Sequence, residues 1–212
     1  IGFLTSNGTN NFVSYWVDNV KCYSSSTISY TENFDSYGDV TFTANGTHAA
    51  SGYNYLVHKT AGSATITGGQ VVFTGGSSHD ALLFTASKNW TNYAFEADVT
   101  YITNAGWMGI MFRSTDLNNF QKAGITVDDA SGNNSAVTNG KYGGSWYMNT
   151  AADGYSVAYN QANIKVNVKH RLKIVVEENS SKLYVAYYDA DGKLGDWNLA
   201  ITRENKLHPA QM

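Results

Sequence analysis

The feature that most constrains this chain is a series of short alternating segments, which recur about every 8–12 residues between Gly- and Asn-rich clusters. In the clearest segment, residues 93–101, large or apolar residues alternate with small or polar ones. Successive side chains of a strand point to opposite faces, so each such segment predicts a strand with one buried face. Helix signals are nearly absent, and the single proline, Pro209, lies near the end. The pattern therefore predicts an all-β protein built as a sandwich or barrel.

Composition narrows the partners that such a protein can take. The charged fraction is 15%, against about 25% in an average globular domain, and Ser, Thr, Asn and Gly supply most of the polar residues. A surface of this kind suits neutral partners such as sugars. The net charge is −3 and no run of Lys or Arg occurs, so no nucleic-acid footprint is present. The absence of an apolar stretch of about 18 residues predicts that the chain has no membrane span.

Several segments carry a resemblance to a known family. They are Asn-Tyr-Ala-Phe-Glu-Ala-Asp-Val at 92–99, Gly-Trp-Met-Gly-Ile-Met-Phe-Arg at 106–113, Asn-Phe at 119–120, Arg-Leu-Lys-Ile-Val-Val at 171–176, Lys-Leu-Tyr-Val at 182–185, and Gly-Phe at 2–3 with Tyr-Trp-Val-Asp-Asn-Val-Lys at 15–21. Together they resemble the concanavalin A-like lectin/glucanase family, which includes the laminin-G-like modules. The resemblance covers most of the chain and implies a jelly-roll sandwich of two antiparallel sheets, with residues 1–212 as one domain.

The order of these segments departs from the family. The segment that resembles the family's closing strand lies first, within residues 1–23, and the main sandwich is expected over residues 32–212. One explanation is circular permutation, in which residues 12–20 complete the same sandwich; sandwich termini often lie close together, which makes permutation easy. The other is that the chain, which begins at Ile1, is a slice of a tandem array whose first strand completes a neighbouring copy. Permutation is the favoured explanation.

Two carboxylates are candidates for chemistry. Glu96 and Asp98 are two residues apart in a predicted strand, so both leave the same face. A glycosidase needs two carboxyl groups in such a position, and retaining glucanases of the resembled family use a Glu-x-Asp-x-x-Glu strand. Here Tyr101 occupies the position of the third acid. We therefore expect no enzyme activity, and expect the two acids to be surface or ligand-binding residues.

Aromatic residues and one arginine are candidates for sugar binding. Trp107 and Arg113 share one face of the next predicted strand, and Trp146 or Tyr147 adds a further platform. Sugar rings stack on aromatic faces, and hydroxyl groups accept paired hydrogen bonds from arginine. The alternative is that the tryptophan fills the space between the sheets. A half-buried arginine needs a partner, so Arg113 is expected to pair with the two carboxylates.

The resemblance also implies a structural calcium ion. In related modules an acid near the start of the sandwich and the aspartate of the closing strand bind such an ion, and Glu32, Asp35 and Asp18 match those positions loosely. Calcium takes several oxygen ligands, including carboxylates. The alternative is that these acids cap turns.

Three functions follow as expectations. The first is a non-catalytic, lectin-like carbohydrate-binding module of a secreted or cell-surface protein, with a glycan as its partner. The second is a structural or adhesive repeat, which associates with copies of itself by strand donation into an extracellular fibre. The third, a glycoside hydrolase, is disfavoured by the incomplete set of acids.

Overall fold

The computed structural model describes residues 2–6, 14–24, 27–42, 46–50, 53–58, 63–74, 80–84, 92–102, 107–113, 121–126, 144–149, 154–157 and 167–204. Most of this part of the chain is strand, and it contains no helix. The all-β class predicted from the alternating segments is confirmed. Among these residues no helix is present that could cross a membrane.

The described strands are short and antiparallel. In chain order they are β1 (Gly2–Ser6), β2 (Ser14–Ser24), β3 (Thr27–Glu32), β4 (Val40–Phe42), β5 (Gly46–Ala50), β6 (Tyr53–His58), β7 (Ser63–Thr67), β8 (Gln70–Thr74), β9 (Asp80–Phe84), β10 (Tyr93–Tyr101), β11 (Trp107–Phe112), β12 (Gln121–Thr126), β13 (Gly144–Asn149), β14 (Gly154–Val157), β15 (Lys169–Glu177), β16 (Ser180–Tyr187) and β17 (Asn198–Glu204).

The strands form two sheets. The eight-stranded sheet has the order β14-β13-β12-β11-β1-β9-β6-β5. In the nine-stranded sheet, eight strands have the order β17-β16-β15-β10-β2-β8-β7-β4, and the ninth strand, β3, pairs with β2. Buried Ile110, Phe112 and Ala123 of the first sheet belong to the same hydrophobic cluster as Phe95 and Leu172 of the second. The two sheets therefore share one core, as in a β-sandwich.

Each of the two N-terminal strands has an interior position, β1 in the eight-stranded sheet and β2 in the nine-stranded sheet. β1 lies between β11 and β9, and β2 lies between β10 and β8. Both strands pair with strands of the same chain, and the choice between permutation and strand donation stays a prediction. Of the segment expected to close the sandwich, residues 12 and 13 lie outside the described residues.

Strand β10 shows how the sequence pattern creates the two faces. Its buried residues alternate from Tyr93 to Tyr101 and contribute to the core, while Glu96 and Asp98 lie on the opposite face. β2 follows the same rule until Asn19, where the register with β10 shifts between Glu96 and Asp98. Asn19 has a φ of 48°, a left-handed value that asparagine tolerates better than most residues. This β-bulge brings the Asn19 side chain to the face that carries the two acids.

Candidate functional site

The face of the nine-stranded sheet that points away from the core collects polar and aromatic side chains. We call it the outer face. Side chains of directly paired residues lie on the same face of a sheet, and the registers of β2, β10, β15 and β16 define its members. Its polar and aromatic members on these strands are Trp16, Asp18, Lys21, Tyr23, Glu96, Asp98, Thr100, Lys169, Arg171, Lys173, Lys182 and Tyr184. Tyr188, directly after β16, joins them through its hydrogen bond to Asp98.

An ion-pair network occupies the centre of the outer face. Arg171 Nη1 lies 2.8 Å from Asp98 Oδ1, and Arg171 Nε lies 3.1 Å from Glu96 Oε2. The exposed fractions of the three side chains are 7% for Arg171, 3% for Asp98 and 13% for Glu96. Burial lowers the pKa of Arg171, but the two carboxylates outweigh this effect and raise it. The acids share a face, as predicted, and Arg171 is their common partner.

Asn19 completes the network from the bulge in β2. Its Nδ2 donates a hydrogen bond to Asp98 Oδ2 at 2.9 Å, and its carbonyl oxygen accepts one from Arg171 Nη2 at 3.3 Å. Its backbone N–H donates to Asp18 Oδ1 at 2.6 Å. Burial raises the pKa of Asp18, the hydrogen bond from Asn19 opposes this rise, and the charge of Asp98 adds to it. The bulge therefore supplies both a donor and an acceptor to the buried ion pairs.

Tyr188 and Lys169 meet Asp98 from the other side. The Tyr188 hydroxyl donates to Asp98 Oδ1 at 2.5 Å, and Lys169 Nζ lies 4.0 Å from Asp98 Oδ2. The same ammonium lies 4.3 Å from the centre of the Tyr188 ring, within cation–π range. Burial, followed by the hydrogen bond to Asp98 and its charge, raises the pKa of Tyr188 to about 12. Asp98 thus has partners on three neighbouring strands or strand ends.

Lys173 occupies an aromatic site beside Glu96. Its Nζ lies 4.0 Å from the ring centre of Trp197 and 5.4 Å from that of Tyr184. Glu96 Oε1 lies 3.9 Å from the same atom. Burial lowers the pKa of Lys173, although Glu96 opposes this effect. Trp197 lies in the segment between β16 and β17, so a loop brings a second tryptophan to the outer face.

Trp16 is the exposed aromatic residue of this face. It is 39% exposed, and its Cα partners are Thr100 on β10 and Val72 on β8. In the next strand, Thr100 pairs with Lys169. A tryptophan ring, a hydroxyl group and an ammonium group therefore lie in one row across three strands. An exposed indole ring offers a flat apolar surface on which the ring of a ligand can stack.

Arg113 does not belong to the outer face, and its predicted pairing with Glu96 and Asp98 is wrong. It follows β11 in the other sheet, with a φ of 47°. Its Nη2 donates hydrogen bonds to the carbonyl oxygens of Glu177 and Glu178, the latter at 3.2 Å. Its backbone N–H donates to the Tyr93 hydroxyl at 3.2 Å. Arg113 thus links the end of β11 to the turn between β15 and β16.

The tryptophan candidates lie in the eight-stranded sheet. The structure describes the backbone of Trp107, Trp146 and Tyr147 but not their side chains. By register, Trp146 pairs with Gly124, which pairs with Gly109 of β11. Glycine within a strand often marks a place where a ligand or another backbone approaches closely. The six sequence-predicted binding residues therefore divide between two sheets instead of forming one cluster.

The residues proposed for calcium have other partners. Glu32 is buried, and its two carboxylate oxygens accept hydrogen bonds from the Phe34 backbone N–H at 2.7 Å and from the Tyr37 hydroxyl at 2.8 Å. Asp35 is exposed and accepts one from Asn33 Nδ2 at 2.7 Å. Among the described residues, no group of three or more His, Cys, Asp and Glu side chains could hold a metal ion. Capping of the turn accounts for Glu32. Calcium binding stays a prediction, which is tested by comparing the stability of the protein with and without EDTA.

Comparison with known proteins adds no relative. No protein-family model, curated protein or solved structure matches this chain. The likeness to concanavalin-like modules therefore stays a prediction from sequence motifs. Function is inferred from the geometry of the described residues.

Proposed function

We propose that this chain is a non-catalytic carbohydrate-binding module of an extracellular or cell-surface protein, with a concanavalin-like jelly-roll fold. The observation that carries the proposal is the combination on the outer face of an exposed tryptophan, half-buried tyrosines and a dense array of hydrogen-bonding groups. Sugars present both an apolar ring face and a rim of hydroxyl groups. A surface that alternates aromatic rings with donors and acceptors matches both properties.

The row of Trp16, Thr100 and Lys169 gives the proposal a specific contact geometry. Adjacent strands are about 4.8 Å apart, so this row runs across the sheet for about 10 Å from β2 to β15. A sugar ring stacked on Trp16 lies beside the Thr100 hydroxyl, and the Lys169 ammonium lies one strand further along the row. The row is therefore long enough to contact more than one sugar unit of an extended chain.

The ion-pair network supports a role without catalysis. A glycosidase pair needs one carboxyl group that donates a proton and a second that attacks or activates water. Glu96 and Asp98 instead accept hydrogen bonds from one guanidinium, and Asp98 also accepts them from Asn19 and Tyr188. Their acceptor oxygens face protein donors, and the side chain of Asp98 is only 3% exposed. Both acids serve to hold the face together.

Titration calorimetry with a panel of soluble oligosaccharides tests the proposal. Trp16→Ala is expected to weaken binding by more than about 1 kcal/mol, because tryptophan is among the residues whose truncation in a binding surface is most costly. Val40→Ala is the matched control, because Val40 is equally exposed at 39% but lies on β4 at the far edge of the sheet. Equal affinity of Trp16→Ala and the unaltered chain would exclude the row of Trp16, Thr100 and Lys169 as the sugar site. Release of reducing sugar would contradict the non-catalytic role.

A structural or adhesive repeat is the second candidate. β1 and β2 each fill an interior position of a different sheet, and a neighbouring copy that received both strands would reproduce the same pairings by domain swapping. Light scattering across a range of concentrations separates the two candidates. A mass of 23.1 kDa at every concentration favours the binding module, whereas a mass that increases with concentration favours the repeat.

A further inference from the structure

The charged groups of the outer face are sorted by depth. Two carboxylates lie deep, with exposed fractions of 3% for Asp98 and 13% for Glu96, while the exposed fractions are 47% for Lys169 and 20% for Lys173. Asp18, the third carboxylate of the face, is half-buried and accepts a hydrogen bond from the Asn19 backbone N–H. A ligand that approaches β15 therefore meets the two ammonium groups before it meets Glu96 and Asp98. This order is notable in a chain whose net charge is −3, because the average surface repels anions.

Aromatic rings hold the two ammonium groups in place. Lys169 lies over Tyr188, and Lys173 lies over Trp197 with Tyr184 nearby. The two lysines are four residues apart on β15, so their Cα atoms are about 13 Å apart along the strand. Lysine side chains lose conformational entropy when they bind a ligand, and lysines that already rest on a ring lose less of it. The cations are thus preorganised.

The exposed acids near these lysines have other partners. Glu177 Oε2 accepts hydrogen bonds from Lys182 at 3.2 Å and from Ser180 at 2.8 Å. Asp189 Oδ1 accepts from the backbone N–H groups of Asp191 and Lys193 within its own turn. Among the described residues, the acids that contact Lys169 and Lys173 are the buried pair already bound to Arg171.

We propose that the outer face binds an anionic polysaccharide, with carboxylate or sulfate groups at Lys169 and Lys173 and a sugar ring stacked on Trp16. The inference rests on the proposed function and names its class of ligand. A charge-assisted hydrogen bond from an ammonium to a carboxylate or sulfate is stronger than one to a neutral hydroxyl. Single-stranded nucleic acid fits less well, because its binding needs a positively charged groove that follows the whole backbone.

Paired polysaccharides test this directly. Polygalacturonate is compared with its carboxyl-reduced neutral form, and a sulfated glycan with its desulfated form, by titration calorimetry at low and high salt. Binding of the anionic member is expected to be at least about 10-fold tighter, a difference of about 1.4 kcal/mol, and to weaken with added salt. Lys169→Gln is expected to reduce this affinity about 5-fold, equivalent to about 1 kcal/mol. Lys193→Gln removes the same charge from an exposed turn and is expected to leave it within about twofold.

Each outcome decides a different statement. Equal, salt-independent binding of the neutral forms overturns the anionic ligand but leaves the proposed function standing. Binding of no polysaccharide in either form, and of no oligosaccharide in the neutral panel, overturns the proposed function itself. Tight binding of a single-stranded oligonucleotide in the absence of polysaccharide binding also overturns both. Loss of affinity in Lys193→Gln equal to that in Lys169→Gln contradicts the assigned position of the site.

Discussion

Arg171 and Asp98 are direct cross-strand partners whose Nη1 and Oδ1 atoms lie 2.8 Å apart, and both side chains are more than nine-tenths buried. Their burial on the outer face results from what surrounds them: the Asn19 bulge on one side, and Tyr188 with Lys169 on the other. A buried ion pair gives little net stability in itself, but a single charge left without its partner is costly. The nine-stranded sheet therefore depends on keeping the pair intact.

Replacing Arg171 by methionine is expected to destabilise the protein by about 3–5 kcal/mol, because Asp98 is left as a buried charge without its guanidinium. Urea denaturation measures the change in the free energy of unfolding. Adding Asp98→Asn to the same chain is expected to restore part of the loss, since the stranded charge is then removed. Lys182→Gln is the control, because its ion pair with Glu177 is exposed and is worth less than about 1 kcal/mol. Equal stability of Arg171→Met and the unaltered chain would contradict the importance of the pair.

Removing the Tyr188 hydroxyl isolates one hydrogen bond of the network. Tyr188→Phe keeps the ring under Lys169 but deletes the donor to Asp98. The expected loss is about 1.5–3 kcal/mol, the range for a hydrogen bond to a charged group. A spectrophotometric titration of the tyrosines adds an independent measurement: one ionisation near pH 12 is expected to disappear in the variant, because the pKa of Tyr188 is raised to about 12. An unchanged titration curve would contradict the contact.

Local alternation was sufficient to predict the strands and the shared face of Glu96 and Asp98, because side-chain direction in a strand has a period of two. The partner of these acids was not predictable from spacing. Arg113 lies nearer in sequence, yet β11 belongs to the other sheet and Arg171 lies directly opposite Asp98. Strand order is a non-local property, so it decides which arginine meets which acid.

The same limit applies to Asn19 and to the aromatic residues of the outer face. The bulge depends on how β2 pairs with β10, although an Asp-Asn pair inside a strand segment is a signal for irregular backbone. Trp16 and Trp197 were not among the predicted binding residues, because one lies in the displaced N-terminal segment and the other in a loop. Their common surface results from the position of β2 in the middle of the sheet and from the course of the chain after β16.

A buried lysine in the eight-stranded sheet is expected to lower the stability of the protein near neutral pH, in contrast to Arg171 and Tyr188, which stabilise it. Lys122 is 1% exposed on β12, where its Cα partners are Met111 and Met148. Burial lowers its pKa to about 7, so the folded protein binds fewer protons at this site than the unfolded chain between about pH 7 and 10. The resulting stability is present at high pH and is lost as the pH falls towards 7.

Lys122→Met is therefore expected to be more stable than the unaltered chain at pH 7, by on the order of 1–3 kcal/mol. The advantage is expected to shrink as the pH is raised to 9.5, roughly one unit below the usual pKa of lysine. Thermal unfolding at both pH values measures the difference. A variant with lower stability at pH 7 would mean that contacts of the ammonium group outweigh its burial cost.

Acid is expected to destabilise the protein through His170. This residue is 1% exposed, pairs with Val99 of β10, and packs edge-on against Tyr187 at a ring distance of 5.5 Å. Burial lowers its pKa to about 4, although a hydrogen bond with the Val168 backbone opposes the shift. The unfolded chain takes up a proton near pH 6.5 and the folded protein does not, so stability is complete above pH 6.5 and falls as the pH drops towards 4. A shift of this size corresponds to about 3 kcal/mol.

His170→Phe, which keeps an aromatic ring against Tyr187, is expected to lose less stability than the unaltered chain between pH 6.5 and 4. Urea denaturation at several pH values in this window measures both slopes. The pKa of His170 can also be followed directly by NMR through its imidazole protons. An imidazole that titrates near 6.5 in the folded protein would contradict the prediction, because a group with the same pKa in both states contributes no pH dependence to folding.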